Sequence, residues 1–140
     1  MNTHQIQAVQ QSFRLLEPVA EPAMLKFYDR LFELDPDLRH LFRASREEQA
    51  KKLAQTLAVV VKSLDRPEQI LGAVKDLGRR HGGYGVKDSH YQTVGAALLW
   101  TLEQGLGQSF TPEVRDGWAT AYGLLASIMQ EAAGAAAASA

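Results

Sequence analysis

The chain of 140 residues contains no cysteine. That excludes disulfides, thiolate metal centres and a cysteine nucleophile, while fitting either redox compartment. An excess of one charge is lacking too, with 15 Lys and Arg against 16 Asp and Glu. There is no basic tract either, so no nucleic-acid partner is expected. No run of about 20 apolar residues and no basic-apolar-small leader occurs, so neither a membrane span nor a signal peptide is expected, and the default location is cytoplasmic. Period-two alternation and internal repeats are missing. So are HExxH, GxSxG and any close helical pair of histidines, which weakens zinc and serine-hydrolase readings. The glycine-rich stretch "GRRHGGYG" follows a helical pattern rather than a strand, so it is a poor nucleotide loop.

What is present is helical periodicity along nearly the whole chain. Its length suits roughly one domain that buries about two-thirds of its unfolded surface. Ile6, Val9, Phe13 and Leu16 form a first stripe that ends before Pro18. Leu25, Phe27, Tyr28, Leu31 and Phe32 form a second, which stops at Asp35-Pro36 because the residue before proline leaves the helical region. The short turn "PDLRHLF" follows. Ser45 and Glu48 are spaced as a capping box and open a helix with Gln49, Leu53, Leu57, Val60 and Leu64 on one face. Asp65, Pro67 and Glu68 predict the start of the next helix. Its stripe is Ile70, Val74, Leu77 and His81, and Gly82-Gly83 is its expected end. Ser89 with Gln92 predicts another capping box, before a face of Tyr91, Val94, Leu98 and Leu102. Gly105 and Gly107 are its expected break. Thr111-Pro112-Glu113 starts the last helix, with Val114, Trp118, Ala121, Tyr122, Leu125, Ile128 and Met129 on one face. The fold class is all-α, with about six long helices plus short turns. The corner and the glycine break suit a non-bundle arrangement better than a four-helix bundle. The domain is expected to cover residues 1–131, and the alanine-rich segment 132–140 is read as a disordered tail.

Three inward positions are polar: Tyr28, Gln49 and His81. Each has a plain explanation taken singly: a tyrosine bonded to a carbonyl, a helix-start amide, a satisfied core histidine. Together they put one imidazole and two hydrogen-bond donors on three different helices, as a haem pocket for a polar diatomic would require. His4, near the terminus, His40, in the corner, and His90, off the inner stripe, compete poorly for the ligand role.

The segments "FYDRLFELDPDLRHLF", "EQAKKL", "LGRRHGGYGVKDSHYQTVG" and "WATAYG" carry a resemblance, over roughly residues 4 to 131, to the single-domain bacterial haemoglobins and the globin domain of flavohaemoglobins. The resemblance implies the globin fold around haem b. It implies His81 as proximal iron ligand, Tyr28 and Gln49 as distal donors, and Leu53 as an apolar lid. Phe42 would lie against the porphyrin, with Pro36 turning the chain ahead of it. Tyr91 would pack under the histidine. Val86, Val94, Leu98 and Met129 would line the haem edge, and Lys52 and Arg80 would be candidate propionate partners. One departure stands out. Flavohaemoglobins carry a late-helix glutamate on that tyrosine and histidine, and the matching place here is Ala132 or Ala133. Glu131 is one or two residues away, which turns it by roughly 100° to 200° on a helix.

The resemblance implies reversible, high-affinity binding of O2, and of CO and NO, for oxygen storage, delivery or scavenging, rather than an enzyme. The alternative is a nitric oxide dioxygenase working with an external reductase. A helical module without haem is a third reading, which Tyr28, Gln49 and His81 jointly oppose. The expected state is a monomer or weak homodimer.

Overall fold

A computed structural model describes residues 1–139, with side chains through residue 135. It is all-helical over those residues, with six α-helices: α1 Thr3–Leu16, α2 Ala20–Leu34, α3 Arg46–Lys62, α4 Leu71–Gly83, α5 Asp88–Leu106 and α6 Pro112–Ser139. Short 3-10 turns sit between them at Glu17–Val19, Pro36–Leu41, Pro67–Gln69 and Gly107–Ser109.

Local chemistry sets most of the boundaries. The Asn2 side chain accepts the Gln5 N–H at 2.8 Å, and Gln5 returns a bond to the Asn2 N–H at 2.9 Å. That satisfies donors which the first turn of α1 leaves open. Asp35 is extended ahead of Pro36, as the proline demands, and its carboxylate accepts the Asp37 N–H. Ser45 caps α3 by accepting the Glu48 N–H at 3.2 Å, and Thr111 caps α6 by accepting the Val114 N–H at 3.2 Å.

Four boundaries differ from the sequence reading. The Asp65 signal is followed by a turn and a 3-10 segment, and α4 begins only at Leu71. Gly82 and Gly83 stay helical; Gly85, at φ 88°, makes the left-handed turn that releases the chain. The start of α5 is closed by His90, whose Nδ1 accepts the Lys87 N–H at 2.9 Å, and not by Ser89 with Gln92. Gly107, at φ 54°, ends α5, while Gly105 lies inside it. The alanine-rich segment read as a disordered tail is carried by α6 through Ser139, consistent with alanine's helix propensity; Ala140 lies outside the described residues.

The core joins α1, α2, α5 and α6 around Val9, Phe13, Leu16, Met24, Leu31, Leu102 and Trp118, all nearly inaccessible to solvent. Its polar members are bonded. Trp118 Nε1 donates to Ser12 Oγ at 2.9 Å, and Ser12 donates to the Val9 carbonyl at 3.0 Å. α3 packs on α2, and α4 packs mainly on α6, while α3 and α4 make almost no contact with each other. The two helices thus form the walls of a cleft. Its facing side chains Leu53, Leu57, Val60, Leu77 and His81 are only half-buried, although most are apolar.

Candidate functional site

Tyr28 lies on α2 between Met24 and Leu31, on the face that enters the core. Its ring meets Phe27 and Phe42 edge-on, with centroids 5.0 and 5.4 Å away, and Phe32 at 6.1 Å. Such offset and T-shaped contacts fix a ring in place. The residue is 6% exposed, yet its hydroxyl makes no hydrogen bond among the described residues. Burial pushes its pKa up to about 12, so at neutral pH the phenol keeps its proton and remains a donor.

A cavity of about 190 Å³ opens beside it, lined by Tyr28, Phe32, Arg39, Phe42, Ala44, Arg46 and Gln49. Three of the expected site residues, Tyr28, Phe42 and Gln49, therefore share one space. Arg39 and Arg46 were not anticipated there. Arg39 lies over the Phe32 ring at 5.1 Å. Arg46 is locked to Asp29 by two bonds, at 2.7 and 2.9 Å. These partners are 17 residues apart, on different helices, so no local spacing could have revealed the pair.

His81 belongs to the opposite wall. A second cavity, of about 240 Å³, lies between Gln55, Thr56, Val59 and Val60 of α3 and Val74 and Leu77 of α4, with Ile70 and Ala73. His81 follows Leu77 by one turn on that face of α4, and Leu53 and Gln49 precede Thr56 on the stripe of α3. His81 Nδ1 is 2.7 Å from the Leu77 carbonyl oxygen. A carbonyl oxygen can only accept, so the proton sits on Nδ1, and the lone pair of Nε2 is left for a metal.

The remaining expected residues divide. Leu53, Val86 and Val94 are half-buried, and Leu98 is buried in the core. Tyr91 has a buried hydroxyl without a protein partner, while its carbonyl accepts the Tyr122 hydroxyl at 2.6 Å. Burial, with a smaller contribution from the Asp88 charge, raises its pKa. Met129 is buried where α6 crosses α4, its backbone against Gly78. Arg80 pairs with Asp76 at 3.2 Å on an exposed surface, and Lys52 is exposed. Glu131 is exposed, and the α6 residue that meets Gly82 is Ala133. No carboxylate stands at that contact.

These features fit a haem: an oriented imidazole, a buried Tyr91 hydroxyl without a protein partner, a Tyr28 phenol at a cavity wall, and half-buried apolar side chains along α3 and α4. Among the described residues no His, Cys, Asp or Glu cluster offers a competing metal site, and no helix is long and apolar enough to cross a membrane.

The comparisons agree. The family model for globins matches residues 25–129. A flavohemoprotein of Bacillus subtilis is 30% identical over 124 residues, covering 86% of this chain and 31% of its own length. One from Rhizobium meliloti is 34% identical over 106 residues, 74% of this chain and 26% of its own. The chain thus spans about a third or less of these relatives. In structure it is similar to a bacterial globin from Campylobacter jejuni, with TM-score 0.83 and 25% identity over 95% of this chain and 96% of that one. It is also similar to an engineered carbene transferase, provisionally a nitric oxide dioxygenase, from Rhodothermus marinus, with TM-score 0.90 and 27% identity over 99% and 96% of the two chains. The chain belongs to the globin family. Haem-based binding of diatomic gases follows from that membership.

Proposed function

We propose that the chain holds haem b through His81 Nε2 and binds O2 reversibly and tightly, for storage, delivery or scavenging, with CO and NO as further ligands. The observation that carries this reading is the His81–Leu77 bond, which engages Nδ1, orients the ring and leaves Nε2 for the iron. Haem, when bound, supplies the iron that takes the gas. The protein's part is to orient, shield and polarise. Tyr28 and Gln49 donate to a ligand that gathers negative charge, Leu53 and Phe42 exclude water, and Tyr91, Val86, Val94, Leu98 and Met129 shape the pocket. Hydrogen bonds to charged acceptors contribute about 1.5–3 kcal/mol each. Two such donors would raise affinity by about a hundredfold or more.

The test is the absorption spectrum of purified protein, reduced and then exposed to air and to carbon monoxide. A haem spectrum that shifts with each gas is expected, and His81→Ala should take up little pigment. Equal uptake by the variant would overturn the assignment.

The Rhodothermus marinus neighbour and the flavohemoprotein relatives favour a second reading. It is nitric oxide dioxygenation, NO + O2 + e⁻ giving nitrate, with the electron supplied by an external reductase. The lack of a carboxylate at the Gly82–Ala133 contact weighs against it, because a hydrogen-bonding carboxylate would make the imidazole more electron-donating. Sustained nitric oxide consumption with added reductase would select this reading; one stoichiometric burst would select the binder.

A further inference from the structure

Over the whole chain the charges nearly cancel, but in the fold they are divided. Residues 36–87 run from the corner after α2 through α3 and α4 to the link before α5. They hold eleven of the 15 Lys and Arg and six of the 16 Asp and Glu, an excess of +5. The other residues hold four cations against ten acids, an excess of −6. The positive part is the side that carries the cleft, since α3 and α4 are its walls. All eleven cations there are exposed, and seven of them have no acidic partner among the described residues. Two of the pairs that do form, Arg46–Asp29 and Lys62–Glu17, take their carboxylate from the negative side. Lys75 and Arg79 stand four residues apart on α4, where like charges repel. Asp76 gives no relief, because it pairs with Arg80 at 3.2 Å. Tyr84, just after α4, is 63% exposed, with its ring 6.2 Å from that of His81. An exposed aromatic with Arg80 and Lys87 close to it in the chain has the composition of an interface centre.

We propose that the α3–α4 face docks an acidic, flavin-carrying electron-donor protein, with Tyr84 as its apolar centre and Lys51, Lys75 and Arg79 as steering cations. The inference rests on the haem reading for why an electron is needed. Only ferrous iron holds oxygen, so iron that has become ferric must regain one electron from outside the chain, whether the protein stores gas or turns over nitric oxide. One electron leaves the partner's reduced flavin and ends on the iron; no covalent bond forms or breaks. Iron held by His81 would lie in the cleft, so the donor must approach on this side. A carboxylate-rich surface is the kind that this side attracts and orients. The two propionates of haem would lower the excess from +5 to +3 and leave its sign unchanged.

The experiment uses reduced flavodoxin, an acidic flavin protein, as probe donor, and reduced lumiflavin, a small neutral flavin, as control donor. Stopped-flow reduction of the ferric protein by flavodoxin should slow about tenfold or more between roughly 20 and 500 mM salt, while reduction by lumiflavin should not change. Lys75→Glu with Arg79→Glu should slow flavodoxin about tenfold at low salt. Lys26→Glu with Arg115→Glu makes the same change of net charge on exposed residues of α2 and α6, and should slow it by less than about twofold. Binding of oxidised flavodoxin, read by titration calorimetry at low salt, should rank the three proteins in the same order and needs no haem. Salt-independent reduction, equal loss in both double variants, or slowing with lumiflavin as well would overturn the docking face. So would equally tight binding of DNA or of anionic phospholipid vesicles, which would reveal a general attraction for anions. A wild-type protein that takes up no haem would sink the haem reading alone, and the calorimetric ranking would still decide the face.

Discussion

Gly78 of α4 lies directly on the backbone of Met129 in α6: a Cβ at Gly78 would fall 2.6 Å from the Met129 Cα and 2.8 Å from its carbonyl carbon. Backbone atoms cannot swing aside as a side chain can. Gly78→Ala must therefore push α4 off α6, and overpacking of this kind costs about 1–3 kcal/mol. Gly72, on the same helix, has nothing within 4 Å of its missing side chain. There Gly→Ala should stabilise by about 0.5–1 kcal/mol through helix propensity. Urea unfolding of the two variants should move in opposite directions. Because α4 carries His81, Gly78→Ala should also weaken haem retention.

The same contact explains where the sequence was readable and where it was not. The apolar stripes placed every long helix, and Asp35-Pro36 marked the end of α2, because periodicity and the geometry before proline are local. Gly82-Gly83 reads as a stop signal, yet Gly82 stays helical and meets Ala133. Glycine at a close helix crossing and glycine at a helix end look alike in a sequence, and only the partner helix tells them apart. Tyr28 and Gln49 were legible as polar marks on inward faces, and Phe42 only through the family resemblance. Arg39 and Arg46 were not, because surface-type residues acquire a site role only when a distant partner, Phe32 or Asp29, holds them at a cavity wall.

Ser12 should tolerate little. It is 4% exposed and relays a bond from the Trp118 indole to the Val9 carbonyl. Ser12→Ala removes the acceptor of the buried Trp118 N–H, which costs about 1–3 kcal/mol. The expected result is a lower urea midpoint with the haem spectrum unchanged, since the contact joins α1 to α6 and involves neither α3 nor α4. A wild-type midpoint would show that water replaces the lost hydroxyl.

Alkaline pH should destabilise the fold through Tyr28. Burial raises its pKa from 10.0 to about 12. Below pH 10 the phenol is protonated in both folded and unfolded chains and has no pH effect. Between about pH 10 and 12 the unfolded chain releases the proton while the folded one keeps it. Stability therefore falls as pH rises, by on the order of 2 kcal/mol across that window. Tyr122, also raised by burial, adds to the loss. Unfolding midpoints of wild type and Tyr28→Phe, followed from pH 9 to about 12, should separate, wild type falling relative to the variant as pH rises, because phenylalanine has no proton to lose. Parallel curves would mean that the phenol is hydrated rather than buried.

The distal donors should act as a pair. Tyr28 and Gln49 line one cavity from two helices, and the tyrosine hydroxyl has no protein partner to give up when a ligand arrives. Its hydrogen bond to a charged acceptor therefore counts nearly in full, about 1.5–3 kcal/mol. Tyr28→Phe should speed oxygen release by about tenfold or more, measured by replacement with carbon monoxide. Gln49→Leu should do so less, because Gln49 is half-buried and solvent competes for its amide. If both donors reach the same ligand atom, the double variant should depart from the product of the single effects, a coupling that a double-mutant cycle reads directly. Strict additivity would separate the two donors, leaving Tyr28 on the gas and Gln49 on the cavity mouth beside Arg46.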